Sequence, residues 1–208
     1  MTDSDRQVRR LVGTVQDVTD ARAAETKIYF MANYDSLTHL PNRTLFLHRV
    51  GQVLASGIGS HTALLVISLD RYHRICDLHG ARSGEHLIGE IVTRLQQSLP
   101  VDITEARQPG SAPSMLARLN DGQFALFLTD LDVPEDSARV AQKCLDALRN
   151  PFQIESTNLV LSANIGIAIP GPDGTDAEQL LHNAGTAAQS AARKDSHGYQ
   201  FYSETMNV

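Results

Sequence analysis

No stretch of this sequence is apolar for long enough to cross a bilayer as a helix. Its longest apolar runs, such as Ala63 to Ile67, fall far short of the ~20 residues that a span requires. No apolar segment follows Met1, so a secretory leader is not expected. There are two cysteines, Cys76 and Cys144, spaced neither as a disulfide framework nor as a metal site, and reduced thiols in a cytoplasmic protein are the expectation. Low-complexity tracts and solenoid-type repeats are absent. Positive charge is sparse as well. Lys and Arg number 18 against 24 Asp and Glu, a formal net charge of −6, and cation pairs such as Arg9-Arg10 and Arg193-Lys194 stand alone. A nucleic-acid surface needs clustered cations, so that class of partner is set aside. What remains is a chain of 208 residues, 42% hydrophobic and 20% charged, enough for one core and a short flanking element.

The pattern along the chain divides it. Arg10 to Val18 partly alternates and reads as a strand with no nearby partner, the end of a domain over residues 1–19. Thr19 can cap a helix over about 20–34. On it, Ala21, Ala24, Ile28 and Met31 recur at spacings of three and four and form one apolar stripe. A single stripe with no partner in its own sequence suits a two-stranded coiled coil or a docked linker. Asp35 to Arg43 is a turn segment broken by Pro41, and Asn42 can cap the helix that runs to about Ala55. Thr62 to Leu69 reads as a buried central strand, followed by a short helical turn over Asp70 to Leu78 and a helix over Gly84 to Leu99. Met115 to Asn120 and Gln123 to Thr129 are two strands joined at Asn120-Asp121-Gly122, an Asx-Gly hairpin signal. A helix over Pro134 to Arg149, a strand over Asn158 to Ile169, an Ala-rich helix over Asp176 to Arg193 and a strand over Tyr199 to Tyr202 complete the body, residues 35–203. The predicted fold class is α+β: a central sheet with an antiparallel hairpin, flanked by helices, of ferredoxin-like type.

Four segments carry a family resemblance. Asp35-x-Leu37-Thr38-x-Leu40-Pro41-Asn42-Arg43, Ser68-Leu69-Asp70-Arg71-Tyr72, Ala117-Arg118-Leu119-Asn120-Asp121-Gly122-Gln123-Phe124 and Leu161 to Ala168 follow one another in the order of the GGDEF nucleotide cyclase family. The second resembles D-[LI]-D-x-F, the third A-R-L-G-G-D-E-F, and the last S-x-G-I-A. Asp17-Val18-Thr19 resembles the end of a PAS sensor domain, and the helix after it the signalling helix that joins PAS to GGDEF. Residues 204–208 resemble the connector to a further domain, of which an EAL phosphodiesterase is the expected kind.

Active members of the family condense two GTP molecules to cyclic di-GMP, with Mg²⁺ held by carboxylates at the end of the central strand and in the hairpin. The resemblance places Ser68 and Gly122 at those two positions, and Gln123 where the pentad has its glutamate. The degenerate pentad therefore reads Asn120, Asp121, Gly122, Gln123, Phe124. The guanine-reading positions fall on Cys76 and Glu85, and the phosphate-gripping ones on Ala192 and Ser196. Glu85, Cys76 and Asn42 remain as residual nucleotide candidates. Asp35 and Arg43 are expected to pair with each other or to brace the entry turn.

The expectation is thus a GGDEF domain without catalytic residues or metal, in bacterial cyclic-di-GMP signalling. It would act with its own PAS and EAL domains and as a homodimer through Ala21, Ala24, Ile28 and Met31, or with a regulatory protein partner. Neither Mg²⁺ nor GTP is expected as a cofactor, although GTP binding without turnover stays open. A protein-docking module and, last, an active cyclase with a rebuilt site are the other readings.

Overall fold

The computed structural model describes residues 19–57, 61–70, 72–99, 113–154, 157–194 and 197–207. The chain divides into two units, the first ending at Ala32 and the second beginning at Asn33. The strand expected over Arg10 to Val18, and the PAS remnant with it, lies outside the described residues. In the first unit, helix α1 (Thr19–Asn33) carries Ala21, Ala24, Ile28 and Met31, and the side chains of Ala24, Ile28 and Met31 are exposed. No helix among the described residues is long and apolar enough to cross a membrane.

The second unit begins with a tight entry turn. Asp35 accepts from the amide and the hydroxyl of Thr38 at 2.8 and 2.7 Å, and its own N–H donates to the Leu40 carbonyl at 2.9 Å. Asn42 then caps α2 (Arg43–Ala55), its side-chain oxygen accepting from the Leu45 amide at 3.0 Å. There follow β1 (Ala63–Leu69), α3 (Tyr72–His79), α4 (Ala81–Ser98), and the hairpin of β2 (Met115–Asn120) and β3 (Gln123–Leu128). After a short 3₁₀ turn come α5 (Ser137–Arg149), a small hairpin of β4 (Phe152–Ile154) and β5 (Thr157–Leu159), β6 (Ala163–Ala168), α6 (Ala177–Lys194) and β7 (Gly198–Phe201).

Five strands form one sheet in the order β2-β3-β1-β6-β7, antiparallel except for the β6–β7 pair. With β1 between β3 and β6, the first four strands have the ferredoxin-like order. Period-two alternation sorts the side chains. Leu65, Ile67, Phe124, Leu126 and Ile165 face the core under α3, α4 and α5, while Leu64, Val66, Ala125, Phe127 and Ala168 face α2 and α6. The alanines of α6 are what let it lie close. Ala184, Ala187, Ala188 and Ala191 are all buried. Cys144 is buried in the α5 layer, and burial pushes its thiol up to about 11, so it stays protonated and unreactive at neutral pH.

The structure corrects three sequence expectations. The strand expected over Asn158 to Ile169 is two strands, because residues 160–162 leave the ladder: Ser162 gives its carbonyl to the Asp70 amide at 2.8 Å and Leu161 turns into the core. The β4–β5 hairpin was not expected at all; its strands are three residues long. The helix over Gly84 to Leu99 begins three residues earlier, at Ala81, after Gly80 in the positive-φ conformation (φ 82°).

Arg94 of α4 secures the small hairpin. Its guanidinium lies 3.8 Å from the Phe152 ring centre and donates to the carbonyls of Asn150 and Pro151 and to Glu90. Arg94→Ala is expected to cost about 1–2 kcal/mol in urea unfolding. Arg94→Lys should recover less than half of that, because an ammonium cannot fork to two carbonyls while lying on the ring.

Candidate functional site

The strand register gathers the central candidates. Ser68, the last residue but one of β1, stands opposite Gln123 on β3 and opposite Asn164 on β6. Directly paired residues project to the same face. Gln123, Ser68 and Asn164 thus form one row on the α2/α6 side of the sheet. Asn120 extends it, its amide nitrogen donating to Gln123 Oε1 at 2.9 Å. The row grades from exposed Asn120 through half-buried Gln123 and Ser68 to Asn164, which is 2% exposed and whose amide oxygen has no hydrogen-bond partner among the described residues.

A bulge divides the hairpin's charge from this row. Arg118 pairs with Phe124, yet Asn120 pairs with Gln123, so Leu119 is an extra residue on β2. Without it, Arg118 and Asn120 would share a face. With it, Arg118 goes with Phe124 to the α3/α4 side. There its Nη1 donates to both oxygens of Asp35 at 2.9 and 3.1 Å, and its Nη2 to Asp121 at 3.0 Å. Burial alone would raise the Asp35 carboxyl. The hydroxyl and amide of Thr38 and the Arg118 guanidinium outweigh it and hold the group below its ordinary value.

Gly122 closes the turn with φ 85° and accepts from the Leu69 amide at 2.8 Å. A Cβ there would lie 3.2 Å from the Cβ of Tyr72, so the Tyr72 side chain lies against the tip. The Tyr72 hydroxyl donates to the Gly84 carbonyl at 3.3 Å. Burial, then the neighbouring Cys76 thiol, push that hydroxyl far above its ordinary value, so it remains a donor. Cys76 itself packs where α3 meets α4: a Cβ on Gly84 would sit 2.4 Å from its sulfur.

The sequence candidates are therefore distributed. Ser68 and Gln123 meet in the neutral row. Gly122 and Asp121 form the hairpin tip, with Asp121 turned to Arg118. Phe124 is a core residue, fully buried opposite Ile67. Cys76 is committed to helix packing, Glu85 is exposed on α4, and Asn42 caps α2. Arg43 does not pair with Asp35. It pairs with Glu178 of α6 at 2.5 Å, because Arg118 already holds Asp35. Sequence reasoning missed Asn164 and the role of Tyr72. The period of two from Ala168 back through Gly166 marks position 164 as inward-facing, and a polar residue at a core position was the available signal.

Mg²⁺ takes carboxylate oxygens in octahedral geometry. The two positions that the resemblance assigns to it offer a hydroxyl and a glycine, and their row neighbours are neutral amides. These residues do not fit the ion. Among the described residues, no group of three His, Cys, Asp or Glu comes together as a metal site.

Residues 32–197 match the family described as diguanylate cyclase, GGDEF domain. The signaling protein YkoW of Bacillus subtilis is 33% identical over 191 residues, which are 90% of this chain and 22% of YkoW. The bifunctional diguanylate cyclase/cyclic di-GMP phosphodiesterase MucR of Pseudomonas aeruginosa is 30% identical over 192 residues, 91% of this chain and 26% of MucR. The solved GGDEF domain of TpbB from Pseudomonas aeruginosa aligns with a TM-score of 0.72 at 27% identity, covering 84% of this chain and 96% of that one. The chain spans about a quarter of the length of these curated relatives, 22% and 26%.

Proposed function

The chain belongs to the GGDEF family, whose members serve in bacterial cyclic-di-GMP signalling, and from that premise we propose that it is a regulatory domain that does not make cyclic di-GMP. One observation carries the reading. The row at the end of the central strand is amide, hydroxyl, amide, and the hairpin position beside it is a glycine packed on Tyr72. Nucleotidyl transfer needs charge neutralisation at the triphosphate and a lowered pKa at the attacking hydroxyl, and a carboxylate-held metal supplies both. Neutral amides supply neither.

In this reading the domain works through what it joins. The exposed stripe of Ala24, Ile28 and Met31 on α1 suits pairing with a second copy, and the same helix would bring a signal from a PAS sensor. MucR carries phosphodiesterase activity in its name, and an EAL domain following residue 208 is the proposed target of regulation. A protein partner docking on the domain would serve the same role.

The test is a calorimetric titration of the domain with GTP, with and without Mg²⁺, followed by product analysis of the same sample. The expected result is no cyclic di-GMP under either condition. Product would sink the proposal. Heat of binding without product would recast the domain as a GTP sensor, with Glu85 the first residue to change.

A further inference from the structure

Among the described residues, β5 is hydrogen-bonded on one side only, to β4. The pairs are Ile154↔Thr157, Gln153↔Asn158 and Phe152↔Leu159. Two residues join the strands, so the closing pair Ile154–Thr157 is of the hydrogen-bonded kind. The next pair is of the other kind, and Asn158 therefore turns its N–H and C=O away from β4. The far edge of this ribbon is held, because Arg94 of α4 donates to the carbonyls of Asn150 and Pro151 where the chain enters β4. Beside the end of β5 lies a groove of about 440 Å³. Leu159 and Val160 line it from one side, and Ile75 and Leu78 of α3 from the other. Leu78 is 72% exposed and Val160 68%, more than any other large apolar side chain described in the second unit. A lone exposed leucine needs no explanation. Two such side chains lining one groove, next to an open strand edge, do. Arg74 lines the same groove, exposed and with neither a hydrogen bond nor an ion pair among the described residues. Asp70 borders it too, but is half-buried and already engaged.

We infer that this groove docks an extended segment of a partner protein, which adds a third strand to the β4–β5 ribbon. The segment's backbone bonds to the N–H and C=O of Asn158. One of its apolar side chains fills the space between Leu78 and Val160, and an acidic side chain meets Arg74. Each requirement comes from a different feature. An open strand edge asks for extended backbone, because a helix spends its main-chain groups on itself. The apolar walls ask for an apolar side chain, and the uncommitted guanidinium asks for a carboxylate. On an added strand every second side chain points the same way, so the occupant alternates. The edge itself is undefended: Thr157, Asn158 and Leu159 include no lysine or proline of the kind that keeps other strands off. The inference goes beyond the regulatory reading, which calls for a partner without saying where it sits, and it holds whether or not the domain makes cyclic di-GMP.

The test is a selection of phage-displayed random peptides on the whole 208-residue chain, run in parallel on Leu78→Asp. Enriched peptides should alternate apolar and polar residues, carry an acid, and bind Leu78→Asp roughly tenfold or more weakly. Leu78 is exposed, so this variant should melt with wild type; should it not, Val160→Asp takes its place. The leading peptide, made synthetically, is then added to isotope-labelled protein. It should slow hydrogen exchange at the Asn158 amide by about tenfold or more, the mark of an added strand. Arg74→Glu should weaken the same peptide about two- to fivefold, and lysine in place of the peptide's acid should restore it. No enrichment, or binders indifferent to both Leu78→Asp and Val160→Asp, would overturn the inference. So would a bound peptide that leaves Asn158 unprotected, or self-association of the chain that Leu78→Asp abolishes, since the groove would then seat a helix or a second copy. Cyclic di-GMP formed by the unmodified domain would defeat the regulatory reading and leave each of these results unchanged.

Discussion

Gly166→Ala is expected to remove roughly 3–5 kcal/mol of stability, a large share of the whole for an ordinary domain. A single methyl group rarely does so much, and the reason is the nature of what it meets. Gly166 lies in the middle of β6, on the face that α6 covers. A Cβ there would lie 1.9 Å from the Ala184 carbonyl oxygen, 2.3 Å from the Ala188 amide nitrogen and 2.9 Å from the Ala187 carbonyl carbon. All three are backbone atoms, so no rotamer change relieves the overlap. The helix as a whole would have to withdraw by about 1 Å or more, opening the contacts that Ala184 and Ala188 make with β1 and β6. Gly185→Ala, in the same helix, is the control. Nothing lies within 4 Å of a Cβ at that position, so the change should stabilise by about 0.5–1 kcal/mol through helix propensity. Paired urea melts of the two variants decide the matter. If Gly166→Ala melts within a degree of wild type, the close approach of α6 to the sheet is wrong.

That contact also shows what the sequence could and could not disclose. The Ala-rich helix over Asp176 to Arg193 was legible, and the Gly of the Leu161 to Ala168 segment was legible as a strand residue. Their meeting was not, since it depends on which face of β6 the helix covers. The same division holds elsewhere. The apolar run at Thr62 to Leu69 announced β1, and Asn120-Asp121-Gly122 announced the hairpin, because burial and turn chemistry are local signals. The β4–β5 hairpin escaped because three-residue strands carry too little alternation to detect, and the break at residues 160–162 escaped because Leu161 keeps the apolar pattern while the backbone leaves the ladder. At the site, Ser68, Gly122 and Gln123 were legible by resemblance alone. Asn164 entered through cross-strand register, and the separation of Arg118 from Asn120 through a one-residue bulge. Both are tertiary facts that no periodicity records.

Arg118→Met is expected to cost about 2–4 kcal/mol at neutral pH, and the loss should fade in acid. Arg118 is only 8% exposed, and it holds two carboxylates of unequal standing. Asp121 is 68% exposed, so Asp121→Ala should cost no more than about 0.5–1 kcal/mol. Asp35 is 22% exposed and would be left with only the amide and hydroxyl of Thr38 to balance its charge. Its pKa is lowered in the folded state from an ordinary value of 3.8. A depressed carboxyl contributes stability that is fully present above the unfolded value and lost as pH falls through the folded one. The difference between wild type and Arg118→Met should therefore be constant from neutral pH down to about pH 5 and shrink below about pH 4, as Asp35 takes up its proton. In Asp35→Asn that acid dependence should be absent, and in the double variant the two losses should fall short of additive by about 1–3 kcal/mol. Chemical melts at a series of pH values give all three quantities. A gap between wild type and Arg118→Met that stays constant below pH 4 would mean the guanidinium acts by packing and not through Asp35. If the gap closes, one ion pair fastens the entry turn at Asp35 to the hairpin at Arg118.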